Sequence, residues 1–227
     1  AEDGIRDRSP SRGLGDVYKR QVPELLCDGP PDAERTIVLA HGAGRGWDSP
    51  SLVAIAEGVA RAGHQVVRFE FPYMVRRRED GTRRPPDRQP VLLETWCAVF
   101  DALGPDGLVI GGKSMGGRMA SLVADECEVA GLVCLGYPFH PPAKPEKTRT
   151  EHLAGLVTPT LVVQGDRDRF GTPEEVAGYE LSGSIHVHWI PDGDHDLVPR
   201  KRSGRTAEQN WVEATEEILG FLNRIVG

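Results

Sequence analysis

Five short apolar runs, rich in β-branched residues, recur along the chain: TIVLAH at 36–41, QVVRFEF at 65–71, GLVIGG at 107–112, GLVCLGY at 131–137 and TLVVQG at 160–165. Their apolarity is continuous rather than alternating, so both faces of each strand must be covered, which predicts a parallel sheet inside helices. A sixth run, IHVHWI at 185–190, alternates more and belongs at an edge. Helical patterns fill the intervals. Ser49-Pro50 opens one whose Leu52, Val53, Ile55, Ala56 and Val59 line a face, and Gly63 ends it. Pro90 opens another, with Val91, Leu92, Trp96, Val99 and Phe100, stopping near Gly104. The last starts at a capping box, Thr206-Ala-Glu-Gln209, and gathers Trp211, Ala214, Ile218, Leu222 and Ile225 on one side. Strand and helix alternate throughout, so the fold class is α/β, three layers deep.

Two segments break the alternation: VRRREDGTRRPPDRQP at 75–90 and HPPAKPEKTR at 140–149, both expected to be charged or Pro-rich loops. Each follows a strand, which in an open α/β sheet puts it at the carboxyl ends where ligands bind.

The first residues belong to a different kind of sequence. AEDGIRD and DVYKRQ are the in-frame translations of DNA strings that resemble short-read sequencing adapters, and residues 1–21 are therefore expected to be a non-native, adapter-derived segment. On that reading the native start lies outside the sequence, and residues 22–227 form a single domain. The formal charge is −7; residues 1–21 hold five basic and four acidic side chains, so removing their +1 leaves −8 for the rest. That balance disfavours nucleic acid as a partner. No apolar run reaches the roughly twenty residues of a membrane helix, so no membrane association is expected. Cys27, Cys97, Cys127 and Cys134 lack C-x-x-C spacing, and two lie in apolar segments. This suits buried free thiols in a reducing, cytoplasmic setting better than disulfides or a metal centre.

The stretch GLVIGGKSMGGRMAS, residues 107–121, satisfies two motifs. From Gly107 it spells G-x-x-x-x-G-K-S, a phosphate-binding loop; from Gly112 it spells G-x-S-x-G, a nucleophile elbow. A phosphate loop needs a strand before its first glycine and flexible residues after it. Here DALGPD precedes Gly107 as a helix end and turn, while Leu108, Val109 and Ile110 are themselves strand. The elbow needs strand, sharp turn and helix in that order, and Ser114 sits at such a turn.

A serine hydroxyl attacks a carbonyl only when a histidine takes its proton and a carboxylate orients that histidine. After the elbow, TLVVQG runs into Asp166-Arg-Asp168, and the next strand runs into Asp192-Gly-Asp-His195-Asp196. His195 is the expected base. His64, His186 and His188 lie in a turn or strand as structural residues, and His140 and His152 precede the acid. Asp168 is preferred over Asp166 as the orienting acid, on turn spacing. Asp194 and Asp196 read as hydrogen-bonders within the loop. The oxyanion needs backbone donors; the elbow supplies the Met115 N–H, and the loop HGAG supplies Ala43, with Gly44 as the alternative. His41 is expected to brace that loop.

With HGAG, GKSMGG, QGDRD and DGDHD in register, the chain from about Leu25 onward resembles an α/β-hydrolase. The segments RFEFPYM and GYPFHPP are similar to a branch that groups bacterial hydrolases with a testis-expressed protein and a histone-acetylation-complex subunit; dienelactone hydrolase is a more distant relative. The resemblance implies a three-layer α/β-hydrolase fold with a mainly parallel sheet of six to seven strands. It also implies the catalytic set Ser114, Asp168 and His195. Some members of that branch act in complexes, so the alternative is a non-catalytic scaffold with a protein partner, engaged through the Arg-rich and Pro-rich loops. Too little chain separates GLVCLGY from TLVVQG for a cap domain, so the site should be shallow. The expected activity is hydrolysis of a carboxylic ester or similar acyl bond of a small molecule through an acyl-enzyme, with no cofactor and no metal. Candidate pocket residues at strand ends are Trp47, Phe71, Tyr73, Met74, Tyr137 and Phe139. Arg76, Arg77 and Arg78 offer anion attraction, partly offset by Glu79, Asp80 and Asp87.

Overall fold

A computed structural model of the chain describes residues 22–225; the adapter-like residues 1–21 lie outside the described residues. Seven strands form one sheet: β1 Leu25–Asp28, β2 Thr36–Ala40, β3 Gln65–Phe69, β4 Val109–Lys113, β5 Gly131–Leu135, β6 Thr160–Gly165 and β7 Ile185–Ile190. Their order is β1-β3-β2-β4-β5-β6-β7, with β1 antiparallel to β3 and all other pairs parallel. The alternating run 185–190 is an edge strand, as its pattern predicts. The opposite edge, LLCD, is too short and too exposed to carry a strand signal. Arg68 of β3 anchors it, its Nη2 lying 2.7 Å from Asp28 Oδ2.

Successive residues of each strand pack to opposite sides, which produces two cores. Ile37, Leu39, Val109, Val133, Leu161 and Val163 meet helix α1, Pro50–Arg61, and the C-terminal helix α6, Ala207–Arg224. Val38, Val67, Phe69, Ile110, Leu132 and Val162 meet α3, Gln89–Leu103, and α4, Met115–Ser121, on the other side. The capping box of α6 is formed, Thr206 Oγ1 accepting from Gln209 N and Gln209 Oε1 accepting from Thr206 N. A one-turn helix α5, Pro173–Val176, follows β6.

The 75–90 segment differs from the expected loop, because its first part belongs to a helix, α2, Pro72–Asp80. Pro72 takes the first helical position and Gly81 ends the helix at φ +70°, donating its N–H to Arg77 O. The density of charge masked ordinary start and stop signals. Residues 140–149 do form a loop, and only a 3₁₀ turn, Glu151–Ala154, stands between it and β6, so no cap domain covers the sheet. Among the described residues all four cysteines are free; Cys134 is buried, Cys97 and Cys127 half-buried, and Cys27 exposed rather than sheltered. No helix among the described residues is long and apolar enough to cross a membrane.

The two glycines that flank Ser114 are explained by one neighbouring strand. A Cβ at Gly112, where φ is +149°, would lie 2.2 Å from Ala40 O, and one at Gly116 would lie 2.5 Å from the same oxygen. β2 and the elbow therefore touch backbone to backbone, and neither side can recede without breaking the β2–β4 ladder. Gly116→Ala is expected to cost about 1–3 kcal/mol, measured as a lower urea midpoint at unchanged m-value.

Candidate active site

Ser114 occupies the turn between β4 and α4 with φ 52° and ψ −114°, outside the regions open to ordinary L-residues. Its N–H donates to Leu135 O at 2.9 Å and its C=O accepts from Arg118 N at 2.9 Å, so the turn is held from both sides. The side chain is half-exposed at the carboxyl end of the sheet.

The acid and the histidine arrive on the loops after β6 and β7, and those loops cross at a glycine. A Cβ at Gly165 would sit 2.3 Å from Gly193 O, and beside it Arg167 N donates to Gly193 O at 2.9 Å. This crossing carries His195 to Ser114: Nε2 lies 2.8 Å from Ser114 Oγ, and Nδ1 lies 2.7 Å from Asp168 Oδ2. A carboxylate only accepts, so the imidazole proton resides on Nδ1 and Nε2 is free to accept the serine hydroxyl. Asp168 is fully buried and also accepts from Gln164 Nε2 and from the Phe170 N–H, each at 2.9 Å. Asp166 stays outside this chain, its N–H bonded to Ile190 O. Asp194 accepts from the N–H groups of Asp196 and Val198, a loop role as expected.

Two neighbours of His195 carried no sequence signal. Phe170 lies over the imidazole with ring centroids 4.2 Å apart and interplanar angle 32°, shielding one of its faces. Lys113, buried at the end of β4, donates from Nζ to His195 O and lies 3.4 Å from Asp196 Oδ1. Burial pushes its pKa down, opposed by the charges of Asp196, Asp168 and Asp194. The residue before Ser114 thus ties the elbow to the histidine loop, a contact spanning 82 positions that spacing cannot reveal.

The loop after β2 closes the site from the other side. Placed at Gly42, a Cβ would come within 3.5 Å of Ser114 Cβ. His41 is fully buried; its Nδ1–H donates to Gly42 O at 2.7 Å and its Nε2 accepts from Phe71 N at 3.1 Å. Desolvation lowers its pKa, so it braces the loop as a neutral ring. Tyr73 Oη reaches Gly42 O at 3.3 Å and Ala43 O at 3.0 Å. A trans peptide holds N–H opposite C=O, so the Ala43 and Gly44 N–H groups face away from Tyr73. The Met115 N–H, first in α4, has no intrahelical acceptor.

The expected pocket residues are mostly elsewhere. Tyr73, Tyr137 and Phe139 are at most 1% exposed, and Phe71 and Met74 are buried too. Tyr73 holds the loop, Tyr137 Oη donates to Arg149 O, and Phe139 packs against Tyr137 and Tyr179. They stand near strand ends, but their side chains turn into the core. Trp47 is half-buried and lines a cavity of about 540 Å³ with Glu70, Pro72 and Arg78, which does not include Ser114. Away from the site, His186 and His188 of β7 face α6, where they and Glu217 bring donor atoms within 4.8 Å of one another.

The chain is similar to known proteins in sequence and in fold. A family model described as an alpha/beta hydrolase domain matches residues 33–223. A putative protein-lysine deacylase of Rattus norvegicus is 29% identical over 140 residues, which cover 60% of this chain and 63% of that protein. Three solved structures share the fold. A serine hydrolase without a lid from Xanthomonas campestris has TM-score 0.67 at 19% identity, with 88% of each chain covered. Est1E from Butyrivibrio proteoclasticus has TM-score 0.66 at 17% identity, covering 88% of this chain and 94% of that one. A dienelactone hydrolase from Anabaena variabilis has TM-score 0.63 at 23% identity, covering 86% and 90%. Spanned by the family model from just before β2 into α6, this chain belongs to the α/β hydrolase domain family.

Proposed function

We propose that the protein is a serine hydrolase that cleaves a carboxylic ester or a related acyl bond through an acyl-enzyme. The observation that carries this reading is the continuous hydrogen-bonded chain from Ser114 Oγ through His195 to Asp168, at 2.8 and 2.7 Å. Ser114 Oγ attacks the acyl carbon while its proton passes to His195 Nε2, and Asp168 stabilises the imidazolium that forms. The Met115 and Ala43 N–H groups receive the developing oxyanion. As the tetrahedral intermediate collapses, the bond to the leaving group breaks and His195 returns the proton to it. Water then attacks the acyl-serine with His195 as base, releasing the acid and restoring the Ser114 hydroxyl. The half-exposed serine and the lack of a cap suit small or accessible acyl groups. An acyl-lysine amide presents the same acyl carbon, and the similarity to a putative protein-lysine deacylase adds that substrate class to those worth assaying.

A fluorophosphonate probe should label the wild-type protein and not Ser114→Ala; equal labelling of both would overturn the reading. Lys113→Met should slow labelling on the order of 10- to 100-fold, because it frees the His195 loop to drift from its working position. The variant's circular dichroism should match the wild type, separating misplacement of the base from loss of the fold.

A further inference from the structure

The arginines of α2 and the following loop are sorted by their partners. Arg76 pairs with Asp87 at 2.6 Å, Arg84 with Asp80 at 2.6 Å, and Arg78 with Glu70 at 2.7 Å and Asp48 at 2.9 Å. Arg77, Arg83 and Arg88 remain, none with an ion pair to a carboxylate among the described residues, and of these Arg77 and Arg83 share one cleft. The neighbouring acid Glu79 lines the Trp47 cavity and makes no ion pair with either, although its charge reaches Arg84. Arg77 and Arg83 line a cleft of about 610 Å³ whose wall also includes Ala43, Gly44 and the Asp80-paired Arg84. Arg77 Nη1 donates to Gly44 O at 3.1 Å, which fixes one of the two charges against that loop. Pro85 and Pro86, also in the wall, stiffen the segment that presents Arg83.

Ser114 is not in the wall of this cleft, but the cleft begins one residue beyond Gly42, where an added Cβ would lie at contact distance, 3.5 Å, from Ser114 Cβ. A substrate whose acyl carbon sits at Ser114 and whose chain extends past Ala43 therefore meets two cations on a protein that is otherwise net negative. We propose that this cleft recognises a carboxylate on the acyl chain, so that the preferred substrates are half-esters of short dicarboxylic acids rather than neutral esters. The inference rests on the serine-hydrolase reading and adds the charge of the acyl group. Guanidinium forks suit a carboxylate because two parallel N–H groups meet its two oxygens. Arg76, Arg78 and Arg84 do not contribute net charge, because each is held by its own acid.

The test compares mono-4-methylumbelliferyl succinate with 4-methylumbelliferyl levulinate, a neutral ester of nearly the same shape. The kcat/KM ratio should favour succinate by roughly tenfold at low ionic strength and shrink as salt is added. Arg83→Gln should lower that ratio severalfold, and Arg77→Gln with Arg83→Gln should bring it near one. Arg202→Gln, an exposed change in the 3₁₀ turn Lys201–Ser203, should leave it unchanged. If both fluorogenic esters turn over slowly, the same ratio is read as protection of Ser114 from a fluorophosphonate by monomethyl against dimethyl succinate. A ratio near one in the wild type, or one that Arg83→Gln and salt leave untouched, would overturn the inference while Ser114 still labels. Absence of Ser114-dependent labelling would remove the hydrolase reading and this inference with it.

Discussion

The close approach of Ala40 O to the elbow is the contact on which the rest of the site depends. Gly112 and Gly116 have no side chain because β2 passes where one would be, and the same proximity brings the loop at Gly42 alongside Ser114. The β2 loop and the elbow are thus positioned by one backbone contact rather than by two adjustable sets of side chains. His41 and Tyr73 then hold the loop carbonyls away from the site. Burial keeps the imidazole neutral and pushes the Tyr73 phenol well above its usual range, so neither group changes charge near neutral pH.

His195 is mounted differently. It follows the edge strand β7, which among the described residues has a neighbour on one side only. Three contacts compensate: the Gly165–Gly193 crossing, the buried Asp168, and Lys113 reaching the His195 carbonyl. Asp168 in turn is held by Gln164 and the Phe170 N–H, while Phe170 covers the imidazole. Orientation of His195 therefore comes from β4 and β6, interior strands, rather than from the strand that precedes it.

The layered sheet was legible because continuous apolar runs are a local signal of burial on both faces, and the juxtaposition of Ser114, His195 and Asp168 because glycine spacing and chain order are local too. What the residues do not announce is direction. Tyr73 at the start of α2, and Tyr137 and Phe139 after β5, stand where a pocket would be lined, but the backbone there turns them inward. β1 went unread because four residues with two exposed side chains carry no period. α2 went unread because its polar face dominates the composition between Pro72 and Gly81. The reach of Lys113 across the fold and the placement of Phe170 depend on tertiary geometry alone.

Ser114 sits at φ 52°, a conformation that costs on the order of 1–3 kcal/mol for a residue with a Cβ. That cost sets durability against the placement of a single hydroxyl. Glycine would relax the turn and has no hydroxyl to reach His195. The residue best suited to this backbone is one that would break the hydrogen-bonded chain to Asp168, and the protein is less stable by the amount that keeps a hydroxyl there.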